Sequence, residues 1–216
     1  MREEMIRVIA DHMRDTCAET GRDALSPRVA AALLRVDRRR FVPAEKAHLA
    51  YDDTPLAIGF GQTISQPFIV ALMSELLDTR PGDRVLEIGS GSGYQTAILA
   101  ELVAEVYAIE IVPELTEHAR GVLHELGYHN VRLKSGDGWH GWPEYAPYDG
   151  IIVTAAGIGV PAPLLQQLRI GARLVLPVED EAGWQSLNVV ERISADRFHT
   201  RHTIGVRFVP LVRDPD

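Results

Sequence analysis

Along the first 20 residues, Met5, Ile6, Ile9 and Met13 recur at intervals of three and four, and this spacing predicts a helix within 1–19. A second short helix is expected over 27–36, with Ser26 as N-cap and Pro27 at the first helical position. From Phe41 to Gln66 no period holds, and Pro43, Pro55, Gly59 and Gly61 interrupt the chain. An irregular stretch of this length inside a compact domain is often functional. After it, apolar strands and helices alternate. Helices are expected over 67–77, 94–102, 113–126 (with Gly127 as its C′ residue) and 163–168. Strands are expected over 84–88, 105–110, 131–134, 148–154 and 173–177. Such alternation predicts an α/β fold with a doubly wound, mostly parallel sheet behind N-terminal helices. Beyond Pro177 two strands, 186–193 and 203–209, follow without a helix between them, so an antiparallel C-terminal edge is expected.

The chain has 216 residues, about the length of one domain. No linker or repeat divides it. We therefore expect a single domain over 1–216: helices and a flap over 1–66, an α/β core over 67–178, and C-terminal strands over 179–216. The net charge of −8 argues against nucleic acid, whose binding requires clustered cations. It suits a neutral or cationic ligand. The single cysteine, Cys17, forms no internal disulfide and points to a reducing, cytoplasmic setting. The residues after Met1 read as no signal peptide. The longest apolar run, 150–165, contains Pro161 and Pro163 and is too short and broken to span a membrane.

In an open α/β sheet, ligands sit beyond the carboxyl ends of the strands. Four such ends here carry glycine or polar residues. The first is Glu87-Ile88-Gly89-Ser90-Gly91-Ser92-Gly93, where glycines allow backbone to approach a ligand and the next helix offers free N–H groups. The second is Glu110, 21 residues after Gly89, a spacing at which a carboxylate accepts ribose hydroxyls. The third is Gly136-Asp137-Gly138, where the aspartate can accept from an exocyclic amine. The fourth is Thr154-Ala155-Ala156-Gly157. Tyr94 occupies the place of the third dinucleotide glycine, and no lysine follows as in a phosphate-cradling loop. A nucleoside cofactor without phosphate fits these residues, S-adenosylmethionine among them, and its sulfonium suits an acidic site. The same glycine turn also serves as a tight strand-to-helix connection with no ligand. G-x-S-x-G is not matched, which argues against an esterase.

The sequence resembles the protein-L-isoaspartate O-methyltransferase family. Segments 61–67 (GQTISQP), 85–95 (VLEIGSGSGYQ), 107–112, 126–131, 136–138, 141–144, 146–149 and 208–211 (FVPL) carry the resemblance, which spans about 28–211. It implies a Rossmann-like class I methyltransferase. The expected reaction passes a methyl group from S-adenosylmethionine, leaving S-adenosylhomocysteine, to the α-carboxylate of L-isoaspartyl residues in proteins and peptides. The ester then closes to a succinimide, the first step of repair. By this resemblance Ser65 and Thr63 are the active-site hydroxyls. Ile64, Ser65, Glu87, Gly89, Ser90, Gly91, Glu110, Ile111, Asp137 and Gly138 hold the cofactor. Ile58, Gly59, Phe60, Gln62 and Val209 meet the substrate. No metal and no nucleic acid, membrane or subunit partner is expected.

A carboxylate nucleophile, with a pKa of about 3.5, is ionised at neutral pH and needs no general base. Alternative expectations are a methyltransferase for a small acid or for one dedicated peptide, and a non-catalytic S-adenosylmethionine-binding module. Three departures from the family pattern bear on loop shape and peptide preference: Gly157 where proline is usual, Ala172 for a second glycine, and Glu179-Asp180-Glu181 for a glycine-containing turn. Other features have plain readings. Ser65 precedes a helix and suits a cap as well as a carboxylate contact. Arg38-Arg39-Arg40 reads as a solvated helix end, Trp139 and Trp142 as packing residues, and the eight histidines as surface or loop residues.

Overall fold

The computed structural model describes residues 1–213. In chain order its elements are α1 (Arg2–Asp15), α2 (Cys17–Thr20), α3 (Pro27–Arg35), β1 (Leu56–Gly59), β2 (Gln62–Ile64), α4 (Pro67–Leu77), β3 (Arg84–Ile88), α5 (Tyr94–Leu102), β4 (Glu105–Glu110), α6 (Pro113–Glu125), β5 (Val131–Ser135), β6 (Tyr148–Val153), β7 (Gly157–Ile158), α7 (Ala162–Gln167), β8 (Leu168–Glu179), β9 (Gln185–Arg192) and β10 (Phe198–Gly205). Short 3₁₀ turns fill 38–41, 44–49, 138–140 and 143–145.

The main sheet runs in the order β10-β9-β8-β6-β3-β4-β5, with β7 pairing on β8. The neighbours β8-β6, β6-β3, β3-β4 and β4-β5 pair in parallel, while β8-β9 and β9-β10 are antiparallel. The chain builds outward from β3 through β4 to β5, then returns to lay β6 on the other side of β3. The switch point therefore lies between the ends of β3 and β6, where Gly89 and Thr154 sit, and a crevice opens there. Side chains alternate across β3: Val85 joins a core with α1, α3, α4 and α5, while Leu86 and Ile88 join a second core on the opposite face. The first core runs from Met5 to Ile204, so the N-terminal helices, the central strands and the C-terminal strands share buried apolar surface.

Several expectations shift. The first helix breaks at Thr16 into α1 and α2. Ser26 caps α3 as expected, accepting from the Val29 N–H at 3.3 Å, and Gly127 follows α6 with φ 80°. The stretch 41–66 is not wholly irregular: β1 and β2 form a hairpin, with buried Leu56 opposite buried Ile64 and Phe60 at the tip with φ 52°. Strand β8 spans twelve residues rather than five. The last strand lies at 198–205, not 203–209. Residues 206–211, for all their apolar alternation, leave the sheet and cross to the end of β6. There the Ala156 N–H donates to the Val209 carbonyl at 2.8 Å and the Leu211 N–H to the Ala156 carbonyl at 2.7 Å. Arg38 is not solvated at all. Its side chain is fully buried, its guanidinium stands 4.9 Å from the Tyr94 ring centroid, and burial pushes its pKa down to about 10. Trp142 packs edge-on against Tyr107 and Tyr145, as expected of a packing residue.

Candidate active site

Three cavities meet over the switch point. A narrow cleft is lined by Gln62, Thr63, Gly89, Gly91, Glu110, Ile111, Gly138, Thr154 and the crossing segment 209–212. A second pocket lies between the glycine turn and α4, lined by Ile64, Ser65, Ser90, Gly91, Tyr94 and Gln95. A broad groove of about 1120 Å³ runs outward past Ser65, His12, Phe68, Trp184, Gln185 and Val209. Thr63 and Thr154 border all three, and Ser65 borders the pocket and the groove.

Glycines let the cleft walls pack closely. Gly89 has φ 87°, and a Cβ there would fall 2.6 Å from Thr154 Oγ1. A Cβ on Gly138 would fall 2.3 Å from Ile88 Cγ2. The Thr154 hydroxyl donates to the carbonyls of Ile88 and Gly89, pinning the end of β6 to the start of the glycine turn. Glu110 is buried, and its carboxylate accepts from the Gly91 N–H at 2.8 Å and the Val112 N–H at 3.0 Å. It thus holds the turn open toward the cleft, and each oxygen keeps a lone pair for a further donor. The Ser90 hydroxyl is buried beside the second pocket and, among the described residues, has no hydrogen-bond partner. A buried hydroxyl of this kind costs free energy unless a ligand satisfies it. These features fit a nucleoside in the cleft and a polar tail beside Ser90. Asp137 is nearby but spends Oδ1 on the Trp139 N–H at 2.8 Å, capping the turn that carries Gly138.

Ser65 is placed differently from a cap. Gln66 stands at the N-cap position of α4, but its side chain does not cap the helix. The cap comes instead from Asp53, whose Oδ1 accepts from the Phe68 N–H at 2.7 Å. Its Oδ2 takes the Gln66 amide at 3.1 Å and lies 2.9 Å from His12 Nδ1. Asp53 thereby ties the loop before β1 to the start of α4, with His12 of α1 close beside it. Among the described residues no hydrogen bond engages the Ser65 hydroxyl, and Ser65 lines both the pocket and the groove.

Two groups of expected residues fall elsewhere. Gly59 and Phe60 sit at the hairpin tip, with Phe60 60% exposed, and line none of the three cavities. Ile58 covers the turn, its Cδ1 3.4 Å from where a Gly91 Cβ would be, and Gln62 faces the narrow cleft rather than the groove. Glu87 does not reach the cleft surface. The pleat turns it, with Val85, toward α5, where it is fully buried and, among the described residues, neither oxygen is hydrogen-bonded.

Burial pushes the Glu87 pKa up to about 8; the Glu110 carboxylate adds to this, and the nearby Thr96 hydroxyl opposes it. A folded pKa above the unfolded one means that folding takes up a proton between those two values, so Glu87 lowers stability progressively as pH rises from about 4.5 to about 8. Glu87→Gln lacks this dependence. Thermal melts of the ligand-free proteins at acid, neutral and mildly alkaline pH should show the variant gaining on wild type as pH rises; parallel curves would refute it.

The sequence gives Thr154 only a place at the fourth strand end, with no role, and gives Asp53 and His12 no place in the site. For Thr154 a signal existed, a polar residue at a strand end. Asp53 and His12 lie far apart in sequence and carry none.

The family model described as Protein-L-isoaspartate(D-aspartate) O-methyltransferase matches residues 15–215. The chain is 50% identical over 210 residues to Protein-L-isoaspartate O-methyltransferase 2 of Syntrophobacter fumaroxidans, covering 97% of this chain and 85% of that one. It is 51% identical over 212 residues to Protein-L-isoaspartate O-methyltransferase 1 of Cupriavidus necator, covering 98% and 82%. A solved protein-L-isoaspartate O-methyltransferase superposes with a TM-score of 0.84 at 28% identity, covering 97% of this chain and 65% of that one. A Plasmodium falciparum structure, described as a putative enzyme of the same name in complex with S-adenosyl-L-homocysteine, gives 0.80 at 23% identity over 97% and 99%, a likeness of fold.

Proposed function

The chain belongs to the protein-L-isoaspartate(D-aspartate) O-methyltransferase family, and from that premise we infer that Ser65 and Thr63 orient an isoaspartyl carboxylate where the three cavities meet. The enzyme transfers a methyl group from S-adenosylmethionine to the α-carboxylate of L-isoaspartyl residues, the first step of repair through a succinimide. When bound, S-adenosylmethionine supplies a methyl group made electrophilic by its sulfonium sulfur. Glu110, Gly89, Gly91, Ile111 and Gly138 hold the nucleoside, with Asp137 behind Gly138, while Ser90, Ile64 and Ser65 border the remainder. The nucleophile is already an anion, so no proton needs to be removed. The protein's work is alignment and exclusion of water. Ser65 and Thr63 donate to the carboxylate, Ile58 covers the glycine turn, the crossing segment at Val209 borders the cleft, and Asp53 keeps Ser65 in place.

The observation that carries this reading is the free Ser65 hydroxyl at the junction of pocket and groove. The groove also favours a peptide over a small acid, since 1120 Å³ far exceeds what a small acid needs. Methyl transfer to an isoaspartyl peptide and to its normal aspartyl twin tests it. Only the first should be methylated, with a single-turnover rate nearly flat from about pH 6 to 8. Equal transfer to both, or transfer to small acids alone, would overturn it.

We further read the chain as one domain, its flap 1–66, core 67–178 and strands 179–216 acting together (residues 214–216 lie outside the described part). The shared core from Met5 to Ile204 supports this. We read it also as a cytoplasmic monomer that engages neither nucleic acid nor membrane, in keeping with its net charge of −8 and single cysteine. No helix among the described residues is long and apolar enough to cross a membrane.

A further inference from the structure

The turn from β8 to β9 departs from the family pattern at Glu179-Asp180-Glu181. It is firmly built. The Asp180 carboxylate accepts from the Ala182 N–H at 2.9 Å and the Trp184 N–H at 2.8 Å, and the Asp180 N–H donates to the Trp184 carbonyl at 2.9 Å. Gly183 supplies a φ of 80°. These bonds fix the backbone of Trp184, yet its side chain is 71% exposed. The indole lies along Gly205, whose added Cβ would stand 3.5 Å from the ring, and borders the groove that runs to Ser65. A large flat apolar ring, exposed on the wall of a substrate groove and mounted on an ordered backbone turn, is a ready contact surface. It offers wide area and has little conformational entropy left to lose.

We infer that Trp184 is a specificity-determining residue: its indole receives an apolar or aromatic side chain of the substrate beside the isoaspartyl residue. The inference rests on reading the groove as the peptide site. No bond is made or broken at Trp184, so its effect falls on KM.

Two isoaspartyl peptides that differ at one neighbouring position, Phe in one and Ser in the other, test this, with the position placed on each side of the isoaspartate in turn. Wild type should prefer a Phe peptide about tenfold in kcat/KM, mainly through KM, within the range of small apolar pocket effects. Trp184→Ala should reduce the preference to less than about twofold, and Trp184→Phe should keep most of it. An unchanged preference in Trp184→Ala at every position overturns the inference, as does the absence of any preference in wild type. If wild type methylates neither peptide, the peptide-site reading itself fails. Melting temperature and cofactor affinity report whether Trp184→Ala folds. Should it not, titrating the Phe peptide into wild type and Trp184→Phe with S-adenosylhomocysteine present decides the matter. An indole fluorescence change seen only in wild type supports the inference, and the same change in both overturns it.

Discussion

Ser65→Ala is expected to lower the single-turnover rate of methyl transfer about 10–100-fold while leaving cofactor affinity and melting temperature nearly unchanged. Removing one preorganised donor costs roughly 10²–10³ in rate where charge develops in the transition state. Here the carboxylate loses charge as the methyl arrives, so Ser65 acts through alignment and the smaller effect is expected. Stability should hold because the hydroxyl caps nothing: Asp53, not Ser65, accepts from the Phe68 N–H at the start of α4. Losing a true cap would cost about 1 kcal/mol. That loss is expected of Asp53→Ala instead. Single-turnover kinetics, calorimetric titration and melting on the same Ser65→Ala protein check this. A destabilised variant with wild-type turnover would remove Ser65 from the chemistry.

Glu110→Ala should weaken S-adenosylmethionine about 10–150-fold, corresponding to roughly 1.5–3 kcal/mol for a hydrogen bond to a charged group. Two effects combine. The carboxylate lines the nucleoside cleft, and its oxygens also hold the Gly91 and Val112 N–H groups, so its loss loosens the glycine turn as well. Glu110→Gln retains one acceptor and nearly the same shape, and should fall between wild type and alanine. Calorimetry showing unchanged affinity in Glu110→Ala would take Glu110 out of the cofactor site.

Much of this enzyme is written locally. The helices and parallel strands from Pro67 to Val153 fall within a few residues of where hydrophobic period, caps and prolines put them, because each element's pattern is set by its own side chains. The glycine turn and Glu110 were legible for a similar reason: positive φ and a short spacing across adjacent strands leave few alternatives. Other features were decided by contacts between residues distant in sequence. The alternation at 206–209 looks like a strand, but the end of β6 offers Ala156 as a partner and draws the segment across the cleft. Glu87 belongs to the binding motif by sequence, yet the pleat of β3 sends its side chain into the α5 face. Arg38 stands in a run of three cations, and only packing against Tyr94 shows that it is buried. Local pattern records which backbone conformation and which face each residue prefers. It carries no record of which distant segment lies opposite, and that choice freed the Ser65 hydroxyl by giving the α4 cap to Asp53.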